Sequence, residues 1–328
     1  MPTASRRSAV LGLGALLAGL VAAAVASPAQ AADTVPRPSH VITPIAGSVI
    51  AAAGINDRGQ VVGVTSVVED TGQFVPVHGF LWQHGRMTDL GVTFQPTAIN
   101  NKGHILGVTF TPGGGAISGY GLWRDGTVTA LGTLGGEFLV GMALNDRDEV
   151  VGYGTLADGS LRGFVWRSGT MTALPPVAGG FSSLAFDINN NGDIVGASRA
   201  PDRSHGVRWR DGNVTDLGPG MQIGYLINDR GQIAGYGDGD GIAHALLLRH
   251  GTVTDLGDLG VDFTAARGIN NHTVIVGDGQ VVEGQPVHAF RWANGRIVDL
   301  GEGYAGGINN RGQIAVNRPN PARVEILG

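Results

Sequence analysis

Four histidines stand at a fixed distance from four aspartates: His78 and Asp89, His205 and Asp216, His244 and Asp255, His288 and Asp299, each pair eleven residues apart. An imidazole beside a carboxylate can act as a general base or, gathered with others, ligate a metal. Two further segments have the same layout but carry Gly119 and Arg162 in the histidine slot, with Ala130 and Ala173 in the aspartate slot. The two residues are present together or absent together, which argues for direct contact. Their repetition argues against one catalytic centre, because histidines in separate copies would lie well over ~10 Å apart, whereas zinc ligands sit ~2 Å from the ion. The pairs are therefore expected to be structural clamps, buried because they share a face with Phe80 and Trp82, and no catalytic, metal or cofactor residue is assigned.

Other candidate motifs are weaker. Asp187-Ile-Asn-Asn-Asn-Gly192 opens like a calcium loop, but its twelfth position is Ser198, where a bidentate glutamate is needed. Gly113-Gly114-Gly115 precedes no helix, so a phosphate cradle lacks its dipole. No Gly-x-Ser-x-Gly or His-Glu-x-x-His occurs.

The elements that position these residues come from a tandem repeat. Ile-Asn-x-x-Gly recurs with its asparagine at 56, 100, 145, 189, 228, 270 and 309, Leu144 replacing the isoleucine once. The gaps are 44, 45, 44, 39, 42 and 39 residues, so one small unit is copied along the chain. Each unit reads as four short strands, a to d, rich in Val, Ile, Thr and aromatics and broken by Gly, Asn and Asp. The asparagine caps the a–b turn, and the glycine three residues on takes positive φ. Thr273 occupies that glycine position in one unit and, being β-branched, predicts a distorted turn there. Asp125-Gly126, Asp211-Gly212 and Asn294-Gly295 are hairpin turns between strands c and d. All five tryptophans, at 82, 123, 166, 209 and 292, fill one slot in strand c, with Leu248 in the sixth, which marks the core.

Seven a–b hairpins but only six c–d hairpins are visible. His40–Thr43 reads as a strand d and Arg323–Leu327 as a strand c, so both chain ends would complete one unit. The expected fold is all-β, a seven-bladed β-propeller of four-stranded antiparallel blades closed by N- and C-terminal strands, with six blades as the alternative.

The unit resembles the bacterial extracellular HAF repeat, named for His-Ala-Phe. His288-Ala-Phe-Arg-Trp292 with Asn294-Gly295 and Val298-Asp-Leu-Gly301 carries the likeness, as does His78-Gly-Phe-Leu-Trp82 through Asp89-Leu-Gly91. The resemblance runs from about residue 50 to 318 and implies a secreted repeat protein; it supplies no activity or catalytic residues.

Residues 1–31 read as a cleaved signal peptide: Arg6 and Arg7, an apolar run from Ala9 to Ala26, then Ala29-Gln-Ala31. Either the general secretory or the twin-arginine route fits Ser5-Arg6-Arg7. Residues 32–328 would form a single propeller domain of about seven repeats. Without Arg6 and Arg7 the formal charge moves from −5 to −7, and Lys102 is the one lysine left. That balance excludes a phosphate backbone as a main partner. The sequence holds no cysteine, so the exported fold must hold by packing alone. No second long apolar run follows the signal, so no transmembrane segment is expected after cleavage.

The b–c and d–a segments vary between copies and emerge on one side of a propeller, a common arrangement for recognition. Glu69, Asp70, Phe74, Glu137, Phe138, Phe181 and Tyr304 lie there and are the candidate ligand-binding residues. The expected function is a secreted, non-enzymatic binding scaffold, monomeric, that engages an extracellular glycan or protein. The alternative is an extracellular polysaccharide hydrolase or lyase acting in the same funnel.

Overall fold

The computed structural model describes residues 36–44, 48–68, 74–112, 116–237, 245–261 and 264–328. The proposed signal peptide, Glu69, Asp70 and His244 lie outside the described residues. Seven antiparallel four-stranded sheets make a seven-bladed β-propeller, and the described residues contain no helix. Blades 1 to 6 run Ser48–Gly91, Phe94–Ala130, Gly135–Leu174, Ser182–Asp216, Ile223–Asp255 and Thr264–Glu302. Blade 7 takes strands a to c from Tyr304–Ile308, Ile314–Pro319 and Ala322–Leu327. Its strand d is Pro38–Ile42, which pairs antiparallel with Ala322–Leu327, so the two chain ends close the ring. Closure leaves no long sheet edge exposed.

The local chemistry of each turn explains its conformation. All six c–d hairpins have both central residues at positive φ, from His84–Gly85 (49° and 78°) to Asn294–Gly295 (53° and 78°). This is the type I′ geometry that matches strand twist. Thr273 corrects the expectation of a distorted turn. It takes φ 63°, and its N–H donates to the Asn270 carbonyl at 3.1 Å, as the glycines do in other units. Its hydroxyl donates to Gln232 Oε1 of the preceding blade at 2.8 Å, which helps offset the steric cost.

The tryptophan slot lies between blades: Trp82, Trp166, Trp209 and Trp292 are 7%, 2%, 1% and 5% exposed, with Trp123 half-buried. Each packs against apolar residues of the preceding blade, as Trp209 does on Val165 and Trp292 on Leu247.

The asparagines do more than cap turns. In each unit the Asn Oδ1 accepts the backbone N–H groups two and four residues on, as Asn228 does from Arg230 and Gln232 at 3.1 and 3.0 Å. Its Nδ2 then donates to the carbonyl of the corresponding asparagine in the next blade. These bonds run 56 to 100, 145, 189, 228, 270 and 309, and Asn309 donates back to Asn56, all between 2.9 and 3.1 Å. A second circle lies beside it. The backbone N–H of Asp57 donates to the side chain of Asn101, and so on through Asp146, Asn190, Asp229, Asn271 and Asn310 back to Asp57. Two closed hydrogen-bond rings therefore tie all seven blades at one end of the axis.

Candidate functional site

The axial channel is shaped by a defect repeated seven times. Every inner strand a carries a β-bulge three residues before its asparagine, shown by the register shifts between Ala52 and Gly54, Pro96 and Ala98, Gly141 and Ala143, Ala185 and Asp187, Gly224 and Leu226, Ala266 and Gly268, and Ala305 and Gly307. The residue just before the bulge is always small and buried. The bulge bends strand a onto strand b, so a side chain opposite has no room. A Cβ on Gly152 or Gly196 would come within 1.9 Å of a strand a carbonyl oxygen. The bulged residue itself turns to the axis and remains accessible. These seven residues are Ala53, Thr97, Met142, Phe186, Tyr225, Arg267 and Gly306. Identical backbone thus presents different chemistry: small or aliphatic in blades 7, 1, 2 and 3, aromatic in blades 4 and 5, cationic in blade 6.

Around the aromatic positions a continuous row forms. Ring centroids are 6.1 Å apart for Phe138–Tyr153, 6.2 Å for Tyr153–Phe186, 5.5 Å for Phe186–Tyr225 and 5.9 Å for Tyr225–Tyr236. The row starts at Phe138, seven residues before Asn145 and 42% exposed, and descends into the channel. It ends beside Arg267, whose Nε donates to Asp278 Oδ2 at 2.7 Å. Asp278 is 2% exposed and also accepts the Ala305 N–H at 2.7 Å, one of the amides freed by the bulges. Asn317 accepts the equivalent Ala52 N–H at 2.8 Å.

Burial dominates the electrostatics of this wall. It pushes the phenols of Tyr120 and Tyr236 up to about 12, so both are neutral donors. Burial also raises the Asp278 carboxyl, against the pull of Arg267. It would lower Arg267, but the Asp278 charge outweighs it and holds the guanidinium above its ordinary value. The pair is thus an ion pair inside the channel, with Arg267 40% accessible as a side chain and two Nη groups beyond the committed Nε. Asp187, two residues before Asn189, is pushed up to about 7 by burial, although it accepts the N–H groups of Ile227 and Ile188 at 2.8 Å each. Part of its surface stays accessible, and its bond to the Ile227 N–H reaches across to blade 5. Among the described residues no group of three or more His, Cys, Asp or Glu is arranged to hold a metal ion.

Of the residues named from sequence, Phe138 joins the aromatic row. Glu137, Phe181 and Tyr304 are exposed at or just before the start of inner strands, where they rim the channel. Phe181 and Tyr304 are not among the ring contacts of the described residues. Phe74 begins a strand c, but its side chain is outside the described residues. Tyr153, Phe186, Tyr225, Tyr236, Arg267 and Asp278 were missed. Alignment of the units on their asparagine would have exposed the bulge position, where residue type changes freely beside a neighbour that is always Ala, Gly or Pro.

His78 Nδ1 lies 2.7 Å from Asp89, His205 Nδ1 2.8 Å from Asp216 and His288 Nδ1 2.9 Å from Asp299. The expected burial holds for His205, 11% accessible as a side chain, and is corrected for two other pairs: the side chains of His78 and Asp89 are 38% and 62% accessible, those of His288 and Asp299 28% and 41%. The aspartate lies on strand d at the outer edge of the blade, ending the strand at Asp216 and Asp255, and its Oδ1 also accepts an N–H two residues on, from Gly91, Gly218, Gly257 or Gly301 at 2.7 to 2.8 Å. Each pair therefore pins strand d at the blade's outer edge. The hydrogen bond to Asp216 raises His205 above its ordinary value, and burial only partly opposes it. His288→Ala and Asp299→Ala should each cost little, and a double-mutant cycle by urea denaturation should give a coupling of about 0.5–1 kcal/mol. Additive losses would remove the clamp from the account.

Several solved structures share the fold. An acylaminoacyl peptidase from Pyrococcus horikoshii superposes with TM-score 0.57 at 13% identity, over 85% of this chain and 51% of the peptidase chain. TolB from Acinetobacter baumannii gives 0.48 at 10% identity, over 86% of this chain and 64% of TolB. The β-propeller domain of the trilobed protease from Pyrococcus furiosus gives 0.46 at 10%, over 77% of this chain and 98% of that domain. At such identities the likeness is one of fold alone, and the chain spans about half the peptidase and under two thirds of TolB. No protein-family model matches the chain. No curated protein matches it in sequence.

Proposed function

We propose that this chain is a secreted, non-enzymatic binding scaffold of the HAF-repeat kind that its sequence resembles, and that it holds an extracellular glycan against the channel wall of blades 3 to 6. The aromatic row carries this reading. Sugar rings present flat C–H faces that pack on aromatic faces, while their hydroxyls need a few fixed polar partners. Phe138, Tyr153, Phe186 and Tyr225 supply the faces, and Arg267 and Asp278 supply the polar end. The propeller backbone is nearly the same in every blade, so aromatic residues gathered on one arc are not explained by the packing of the ring. The signal-like first 31 residues fit a role outside the cell.

A cleaving enzyme is the second reading, and Asp187 favours it. A carboxyl with its pKa near 7 suits general acid catalysis, and Asp187 neighbours Phe186 of the aromatic row, with Asp278 a second carboxyl at the row's far end. One experiment separates the two. Purified protein is incubated with insoluble polysaccharide and cell-wall fractions, and both retained protein and soluble saccharide are measured. Retention without released fragments is the expected result; fragment release that Asp187→Asn abolishes would replace the scaffold with the enzyme.

A further inference from the structure

Two of the seven interfaces between blades depart from the packing rule. In the other five the tryptophan slot of a blade shares a core cluster with the apolar residue that precedes the same slot in the blade before: Trp82 with Ile326, Trp123 with Leu81, Trp166 with Leu122, Trp209 with Val165, Trp292 with Leu247. Where blade 4 meets blade 5, both members change. The slot holds Leu248, and the facing residue is Arg208. A leucine is far smaller than an indole, and the space is left open as a cavity of about 320 Å³. The interface of blades 6 and 7 also pairs an arginine, Arg291, with a leucine, Leu327, but there Leu327 is 1% exposed and packed in a core cluster.

The cavity has a mixed lining. Leu217, Ile233 and Leu248 supply apolar surface. Arg208, Arg210 and Arg230 supply guanidinium groups. Asp193, 1% exposed, accepts from Arg208 Nη2 at 2.6 Å and from Arg210, and Asp229 is the second carboxylate at the cavity. Three guanidinium groups against two carboxylates leave one positive charge. Arg208 Nε is buried and has no hydrogen-bond partner, although such a donor costs about 1–3 kcal/mol when left unmet. A cavity of this size accommodates a small molecule.

We propose that the cavity between blades 4 and 5 binds a small organic monocarboxylate with an apolar body, its carboxylate on Arg208 and its body against Leu217, Ile233 and Leu248. A monoanion balances the surplus charge, and Arg208, whose side chain is 27% accessible, carries guanidinium N–H groups beyond the one given to Asp193. The site lies by the repeat turns, at the end of the blades opposite the b–c and d–a loops, so it is independent of the glycan reading.

Benzoate is the probe, with benzamide as its neutral isostere and inorganic phosphate as an anion without an apolar body. Ligand-observed NMR titration should show saturable benzoate binding, with benzamide and phosphate at least tenfold weaker. Leu248→Trp restores the side chain used in the other blades, and should cut benzoate affinity at least tenfold; Arg208→Leu should do the same by removing the guanidinium. Far-UV circular dichroism checks that each variant is folded, and Arg208→Leu decides alone if Leu248→Trp is not. Absence of saturable benzoate binding overturns the proposal. So does benzamide or phosphate binding as tightly as benzoate, or unchanged affinity in a folded variant.

Discussion

Asn228→Ala is expected to lower the melting temperature by roughly 10 °C, a loss of about 3–5 kcal/mol. Asn228 is 4% exposed and its side chain satisfies two backbone N–H groups, Gln232 Oε1 and the Asn270 carbonyl of the next blade. Alanine leaves the N–H groups of Arg230 and Gln232 without a partner, each costing about 1–3 kcal/mol before relaxation, while Gln232 Oε1 and the Asn270 carbonyl keep their bonds from Thr273. It also opens the ring that joins all seven blades. Asn213→Ala is the control: its amide is exposed and makes a single 3.4 Å contact within its own turn, so its effect should fall within about 0.5 kcal/mol. Thermal unfolding of the two variants side by side checks the ring. Equal, small losses would mean that the asparagine circle is a by-product of turn capping and carries little of the stability.

The second large effect is a pH dependence that Asp187 imposes. Its folded pKa is about 7 against an ordinary value of 3.8, so the folded state holds the proton more tightly than the unfolded chain. Stability from this group is fully present below pH ~4 and is lost as pH rises to about 7, beyond which the loss is constant. Each pKa unit corresponds to about 1.4 kcal/mol, which sets an upper bound of about 4.5 kcal/mol, and solvent screening of this partly accessible carboxyl brings the span to the order of 2–4 kcal/mol. In Asp187→Asn the titration is gone. Urea denaturation at pH 4, 5, 6, 7 and 8 should show the variant gaining on the native protein across the series, with most of the gain between pH 5 and 7. Parallel stability curves for the two proteins would show that Asp187 is not held protonated in the folded protein.

The sequence and the structure agree most closely where one residue type performs one local task. Gly after His84, Asp125 or Asn294 dictates a type I′ turn whatever surrounds it, and the structure has that turn six times. The tryptophan slot reads as core because one large apolar residue recurs at one phase. The closing strands at residues 38–42 and 322–327 were legible because the count of half-units required them.

What escaped the sequence depends on neighbours far apart in the chain. Asn228 looks like a turn cap, and half its work is that; the other half is a bond to Asn270, visible only when the blades are set round an axis. Thr273 looks unfit for positive φ, yet the turn is held by ring bonds on both sides and the hydroxyl finds Gln232. The His–Asp spacing gave the contact but not its depth, since the aspartate lies on the outermost strand of its blade. The channel wall was hidden most completely. Phe186, Tyr225 and Arg267 each stand three residues before their asparagine, but no local propensity marks the bulge that turns that position away from the strand's regular alternation.

The direct test of the glycan reading is the retention of Tyr225→Ala on the polysaccharide that best retains the native protein, measured by affinity electrophoresis across a range of polysaccharide concentration. Tyr225 lies in the middle of the aromatic row, 5.5 Å from Phe186 and 5.9 Å from Tyr236. Loss of one stacking face worth about 1–2 kcal/mol should weaken retention roughly tenfold, with the fold intact by circular dichroism. Retention equal to that of the native protein, in a folded variant, would place any ligand away from this wall and contradict the account.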